Sequence, residues 1–386
     1  MSSTAYFDNA ATTFPKPEEV YRFMDRFYRE CGVNVGRGQY KLASQAADLV
    51  ADTRKMILDL NHCPNRTVVF MPTATEALNL LLKSVIRKDK LNVYISPFEH
   101  NAVVRTIYHL QQIYDIAVHE LAFNKGLISY GLEEIECQFS EDRPDIVVIS
   151  HASNVCGVIA PIAEICALSK AHGAVNIIDM CQTMGLVDTD LNNDNIDYAV
   201  FAAHKTLYGS FGLGGFVSKP NAKLEPLVYG GTGVDSANPE LPNTMPERYE
   251  VGSSNVSAIA GLNAAMKWIR EIGIESINKK EQENRRRLID IIAKYNNIKV
   301  FFLSQDEQSS IGVISCVFDG YGSDNIGQVL SDKDIAVRTG LHCAPNAHKY
   351  MGTFPAGTVR FSVGYFNTDE DFKQLDKALK YICDNS

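Results

Sequence analysis

The chain has 386 residues, 45% of them apolar and 22% charged, with a formal net charge of −9. That composition buries enough surface to offset chain entropy and argues against a disordered chain, and the length favours two packed lobes over one core. With no basic cluster longer than Arg285, Arg286 and Arg287 behind Asn284, it also excludes a phosphate-tracking nucleic-acid face, and that run reads as a solvated helix face. The first residues show no charged start leading into an apolar stretch, and no segment approaches a membrane span, so a cytoplasmic protein free of membrane contact is expected. Nine cysteines without C-x-x-C or Cys/His metal spacing fit a reduced compartment and give no metal signal. Cys166 and Cys316 sit in apolar runs and read as core filler.

From about residue 67 short β-branched and aromatic runs alternate with helical stretches, the pattern of a mainly parallel sheet covered by helices on both faces. Strands are expected at 67–71, 92–96, 145–150, 175–179, 198–202 and 214–217. In open sheets of this kind ligands collect at the carboxyl ends of the strands. After about residue 256 the texture changes to a long helical region through 294. Strands near 312–318, 336–338 and 358–363 follow, and a closing helix over 369–382 ends the chain. This predicts an α/β protein with a large cofactor-binding domain over 15–260 and a smaller α+β domain made of 1–14 and 261–386.

Chemistry-bearing residues cluster at the expected strand ends. Thr75 is read as closing a strand and opening the helical run after Glu76, which makes a helix-start anion site from its hydroxyl and free N–H groups. Asp179 ends the apolar run from Val175, where a carboxylate is desolvated unless a cation faces it. Lys205 follows a strand end and precedes the glycine-rich 208–215 segment, whose backbone can pass close to a bulky ligand. Pyridoxal phosphate needs this set: an amine to hold it, a carboxylate for its pyridine nitrogen and donors for its phosphate. Each residue also has a plain reading: Asp179 as a helix cap, Lys205 as a surface lysine, His100 as a hydrogen-bonded loop histidine. Unaided, the residues define an α/β enzyme with a phosphate site.

The order of motifs carries more. Asp8-Asn9-Ala10-Ala11-Thr12-Thr13, Ala74-Thr75-Glu76, Glu99-His100-Asn101, Ser153-Asn154-Val155-Cys156-Gly157, Asp179-Met180-Cys181-Gln182, His204-Lys205, Glu250-Val251-Gly252-Ser253 and Arg338-Thr339-Gly340-Leu341-His342-Cys343-Ala344 span nearly the whole chain. Together they resemble the class V aminotransferase family and, within it, the cysteine desulfurases, in the branch with a short cysteine loop.

The resemblance implies the fold type I architecture of pyridoxal-phosphate enzymes and a homodimer with sites at the subunit interface. It implies that Lys205 carries the cofactor, Asp179 pairs with its ring nitrogen and His100 stacks on the ring. Asn154 and Gln182 would address the ring's phenolic oxygen, with Ala74, Thr75 and His204 at the phosphate and Ser253 reaching it from the neighbouring subunit. Arg360, with Ala11 and Asn154, would hold the substrate carboxylate, a task suited to a forked guanidinium. Four positions depart from the pattern: Ala202 where relatives carry a phosphate-binding serine, Cys156 for threonine, and Leu341 and Tyr40 for histidine.

Cys343 follows a strand-like run and has Arg338, His342, His348 and Lys349 close in sequence, and cationic neighbours favour the nucleophilic thiolate. Composition alone would make it one more packing cysteine; the flanking motif makes it the sulfur acceptor. The implied reaction converts L-cysteine to L-alanine and leaves a persulfide on Cys343, with Lys205 moving the Cα proton and His100 carrying the thiol proton. Selenocysteine is an alternative substrate and a sulfur-acceptor protein a further partner. A selenocysteine lyase, C–S lyase, aminotransferase or epimerase on the same scaffold remains open, as does a non-catalytic protein that binds pyridoxal phosphate or carries sulfur.

Overall fold

The computed structural model describes residues 4–35, 38–234, 237–304 and 306–385. The chain opens with β1 (Ala5–Tyr6), α1 (Glu18–Cys31) and α2 (Lys41–Leu60), then alternates β2 (Thr67–Met71), α3 (Ala74–Val85), β3 (Leu91–Ile95), α4 (Asn101–Gln111) and β4 (Ile116–Glu120). A short hairpin of β5 (Phe123–Asn124) and β6 (Ser129–Tyr130) leads to α5 (Leu132–Glu141), β7 (Ile146–Ser150), α6 (Ile162–Ala171), β8 (Val175–Asp179), β9 (Tyr198–Ala202) and β10 (Gly214–Ser218). The remainder is α7 (Val256–Ile272), α8 (Ile274–Ile292), β11 (Ile298–Phe301), β12 (Val313–Phe318), α9 (Ser323–Asp332), β13 (Ile335–Ala336), β14 (Arg338–Gly340), α10 (Pro345–Met351), β15 (Thr358–Ser362) and α11 (Asp369–Asp384).

Seven strands form the main sheet in the order β2-β10-β9-β8-β7-β3-β4, parallel except for β10, which runs antiparallel to β2 and β9. All five residues of β7 are buried, and because successive side chains point to opposite faces they feed two different apolar clusters. Ile146 and Val148 join Leu78, Leu81, Val103 and Ile107 under α3 and α4. Val147 and Ile149 join Ile57, Ile165 and Leu262 under α2, α6 and α7.

The second sheet is antiparallel, β11-β12-β15-β14. Alternate residues Ile314, Cys316 and Phe318 face Leu375 and Leu379 of α11 and Ile326 and Leu330 of α9. The N-terminal segment is tied to this half: β1 pairs with β13, and Asp8 bridges Ser362. That pairing delivers residues 8–11 to the gap between the two sheets.

Several expectations change. Strands β4 and β11 have no counterpart among the strands expected from the sequence, because each is a sheet edge carrying exposed polar or charged side chains. The helical region expected over 256–294 is two helices, broken where Gly273 takes φ 87°. The Asn284 to Arg287 run is not a solvated face: Asn284 and Arg285 are buried, and Asn284 Nδ2 donates to the Gly364 carbonyl at 2.8 Å. Cys166 and Cys316 are fully buried thiols, pushed up to about 12 for Cys166 and further for Cys316 by burial.

Candidate active site

Between the sheets, at the carboxyl ends of β7, β8 and β9, lies a cavity of about 290 Å³. Its walls bring together Ala11, Ala74, Thr75, His100, Asn154, Asp179, Gln182, His204, Lys205, Cys343 and Arg360. Ser253 is not among them: it is exposed, and its hydroxyl accepts from Asn34 Nδ2 at 3.4 Å.

The phosphate end is a helix start, with one correction. Strand β2 ends at Met71, and Thr73, not Thr75, caps α3 by accepting from the Glu76 N–H at 3.1 Å. Thr75 therefore lies inside the first turn, where its own N–H is one of the unpaired donors. Nearby, His204 stacks on Phe211 at 4.7 Å and its Nδ1 is buried without a partner. Burial, then Lys205 and Lys16, hold the His204 imidazole down to about 4.

At the far end of β8, Asp179 is 8% exposed and accepts from the Cys181 N–H at 2.9 Å. Beneath it Glu99, which the sequence reading gave no role, is wholly buried. It accepts from Ser96 Oγ at 2.6 Å, the Ser150 N–H at 2.5 Å and Ser150 Oγ at 2.9 Å. Burial pushes Glu99 up to about 7, and the neighbouring Asp179 charge adds to that. A buried Asp179, a lysine amine, a helix start and an orphaned imidazole nitrogen are the donor set that pyridoxal phosphate requires, so the residues present fit the cofactor.

His100 caps α4: its Nδ1 accepts from the Ala102 N–H at 3.0 Å. Burial, then Lys205, lowers it to about 4, so it is neutral near pH 7. With Nδ1 committed as acceptor, the proton of neutral His100 sits on Nε2. In this arrangement His100 can donate a hydrogen bond into the cavity but has no lone pair left to take the thiol proton expected of it.

Arg360 is 1% exposed, and Asp8 Oδ1 stands 2.6 Å from its Nη2. Its Nη1 donates to the Asn154 carbonyl at 2.9 Å, while Nε is buried without a partner. Asn154 in turn donates from Nδ2 to the His342 carbonyl at 2.7 Å, and Gln182 Nε2 donates to the Ala10 carbonyl at 2.8 Å.

The cysteine loop is pinned from both sides. His342 and Cys343 adopt φ of 47° and 57°, a left-handed pair. The Asn101 N–H donates to the Cys343 carbonyl at 2.7 Å, and His342 Nε2 meets Thr358 Oγ1 at 2.9 Å. Arg338 Nη2 donates to Cys343 Sγ at 3.6 Å. Of the four neighbours expected to be cationic, only Arg338 plays that part. Burial holds His342 down to about 2 and His348 down to about 4, so both are neutral, and Lys349 lies over the Phe354 ring.

The family model for class V aminotransferases matches residues 5–375, and the chain belongs to that family, whose members use pyridoxal phosphate. It is 27% identical over 385 residues to a probable cysteine desulfurase of Methanothermobacter thermautotrophicus, covering 98% of this chain and 94% of that one. It is 30% identical to a cysteine desulfurase of Synechococcus elongatus, covering 98% of this chain and 60% of that one. The apo structure of a cysteine desulfurase from Thermococcus onnurineus superposes with a TM-score of 0.90 at 25% identity, over 99% of this chain and 95% of that one. The fold is thus that of the pyridoxal-phosphate enzymes of this family, a mainly parallel sheet with a smaller α+β part. Among the described residues no helix is long and apolar enough to cross a membrane.

Proposed function

We propose that the protein is a pyridoxal-phosphate-dependent cysteine desulfurase that converts L-cysteine to L-alanine and takes the sulfur on Cys343. The observation that carries the reading is the placement of Cys343 Sγ, faced by Arg338 at 3.6 Å, in one cavity with Lys205, Asp179 and Arg360. A packing cysteine has no need of that company.

Lys205 holds the cofactor and afterwards moves the Cα proton with its amine; Asp179 keeps the ring nitrogen protonated. Thr75, Ala74 and the unpaired N–H groups of the α3 start would hold the phosphate with His204, and Gln182 and Asn154 would address the ring's phenolic oxygen. When bound, the cofactor draws electrons from the substrate's Cα and so eases loss of its proton. Arg360, aided by Ala11 and Asn154, anchors the carboxylate. His100 Nε2 donates to the departing sulfur. The Cys343 thiolate forms a bond to the substrate sulfur as the Cβ–S bond breaks, leaving its electron pair on carbon; protonation then gives alanine, and Cys343 keeps a persulfide.

The same reading takes residues 15–260 as the cofactor-binding domain and 1–14 with 261–386 as the smaller one, supported by the separate apolar cluster around the second sheet. It also takes two copies as pairing, with Ser253 serving the partner's site. Phe211, which lines the cavity yet is 63% exposed, and the exposed Val228 and Tyr229 support that pairing.

Cys343→Ala tests the proposal. Alanine formation from cysteine should fall by orders of magnitude, and brief exposure of the wild type to cysteine without reductant should add one sulfur to the Cys343 peptide by mass spectrometry. Alanine made by the variant at the wild-type rate would mean that Cys343 is not the sulfur acceptor, and pyruvate in place of alanine from the wild type would mean a lyase instead.

A further inference from the structure

Cys343 is reached from a second direction. A groove of about 470 Å³ runs between α3 and α4 and ends on His100 and Cys343. Its walls are two facing stripes at four-residue spacing: Thr75, Asn79 and Lys83 on α3, and Asn101, Arg105 and His109 on α4. Such spacing puts each set on one helix face.

The charge of this groove opposes that of the molecule. The chain carries 46 acidic against 37 basic residues, yet no carboxylate lines the groove. Helix α4 contains no acidic residue, and α3 has only Glu76, off the stripe. Neither Lys83 nor Arg105 is in an ion pair among the described residues. Free cysteine bears no net charge near pH 7, so a cationic lining steers it little. A thiol carrying carboxylates is the molecule it would draw in, and the groove lies within the size range of small-molecule sites.

We infer that the α3–α4 groove is the docking site of the sulfur acceptor, and that this acceptor is a small thiol bearing carboxylate groups. The inference rests on the desulfurase reading above. The step balances without an added oxidant or reductant. The acceptor thiolate attacks the outer sulfur of the Cys343 persulfide, a new S–S bond forms, the bond to Cys343 Sγ breaks, and its electron pair restores the Cys343 thiolate.

The test uses the holoenzyme loaded with cysteine, freed of excess substrate and then mixed at low salt with mercaptosuccinate or with uncharged thioglycerol. Loss of the extra sulfur from the Cys343 peptide is followed by mass spectrometry. Mercaptosuccinate should discharge Cys343 faster, and Lys83→Glu with Arg105→Glu should cut its advantage roughly fivefold or more, as should high salt. The milder pair Lys83→Gln and Arg105→Gln should cut it in the same direction. Only variants that load Cys343, and are therefore folded, are compared. If Cys343 never gains sulfur, the desulfurase reading fails and this inference with it. If loaded Cys343 is discharged with no regard to thiol charge, or the reversals leave the preference intact, the groove inference alone is overturned, and a macromolecular acceptor replaces the small one.

Discussion

Removing the carboxylate of Asp8 tests how Arg360, the arginine proposed to anchor the substrate carboxylate, is held. Arg360 is 1% exposed, and its only acidic partner in an ion pair among the described residues is Asp8, at 2.6 Å from Nη2. Burial disfavours the charged form of Arg360, and the Asp8 carboxylate opposes that effect by its charge and hydrogen bond. Taking one partner from a buried pair costs about 3–5 kcal/mol, because the other charge stays buried and uncompensated. The Asp8 side chain is 20% exposed, so water can replace part of the lost carboxylate and the lower end, about 3 kcal/mol, applies. Unfolding entropy of about 2.1 cal/mol/K per residue gives roughly 0.8 kcal/mol/K for a chain of this size, so Asp8→Ala should lower Tm by about 4 °C in one cooperative transition. Scanning calorimetry of the holoenzyme reads that directly, and the KM for cysteine should rise as the guanidinium loses its fixed orientation. A Tm within 1 °C of wild type, with KM unchanged, would show that Asp8 neither compensates nor positions Arg360.

Lys205→Ala should lose the visible absorbance of bound cofactor as prepared; a variant that still gives a borohydride-trapped protein adduct refutes the assignment of that lysine. Ala202, which lines the cavity at a strand end, leaves room for one more phosphate donor, so Ala202→Ser should tighten the cofactor by about 1 kcal/mol, roughly fivefold in Kd by titration, and no change counts against the reading. Stability should fall on acidification. His100, His151, His204 and His348 titrate near 4 when folded against 6.5 ordinarily, so the unfolded chain takes up protons first and their stabilisation drains away as pH drops from about 6.5 through 4. Glu99 and Glu281, pushed up to about 7 from 4.5, act oppositely, their contribution full below 4.5 and lost as pH rises through 7; with His342, held down to about 2, acting alongside the other four histidines, two groups against five leave a lower Tm at pH 5 than at 7.5, and the reverse order would refute this.

Much of the frame was legible because it is local. The runs of β7, β8 and β9 are almost wholly buried, so apart from Asn176, whose amide is hydrogen-bonded to Ser169 and to two carbonyls, their residues are apolar or small up to Asp179 and Ala202, and such runs read as strands directly. Edge strands β4 and β11 carry no such signature, since one face meets water. Thr73 and Thr75 are both threonines beside a strand end; which one caps depends on where the backbone turns, and the sequence does not fix that to two residues. The Asp8–Arg360 pair lies 352 residues apart, so no spacing rule could join them, although Asp8 stood in the first motif and the resemblance gave Arg360 a role. Charge by proximity in sequence misled at His348 and Lys349, whose side chains turn to Thr353 and Phe354 instead.

The cysteine loop shows why those non-local contacts matter to the chemistry. Two consecutive non-glycine residues in left-handed conformation cost about 1–2 kcal/mol each. Three hydrogen bonds converge on them: Asn101 N–H to the Cys343 carbonyl, Asn154 Nδ2 to the His342 carbonyl, and His342 Nε2 to Thr358 Oγ1. At about 1 kcal/mol each they offset that strain, and they come from α4 and the segment after β7 on one side and from β15 on the other. Thr358 Oγ1 donates onward to Ser315 Oγ, and Ser315 to the Val155 carbonyl, so the hydroxyl facing His342 is left to accept, and the proton of that imidazole is held on Nε2. The Cys343 loop is therefore held from both sheets at once. A shift of either sheet relative to the other must break at least one of these bonds, which makes the position of Cys343 over the cavity a direct readout of how the two halves are docked.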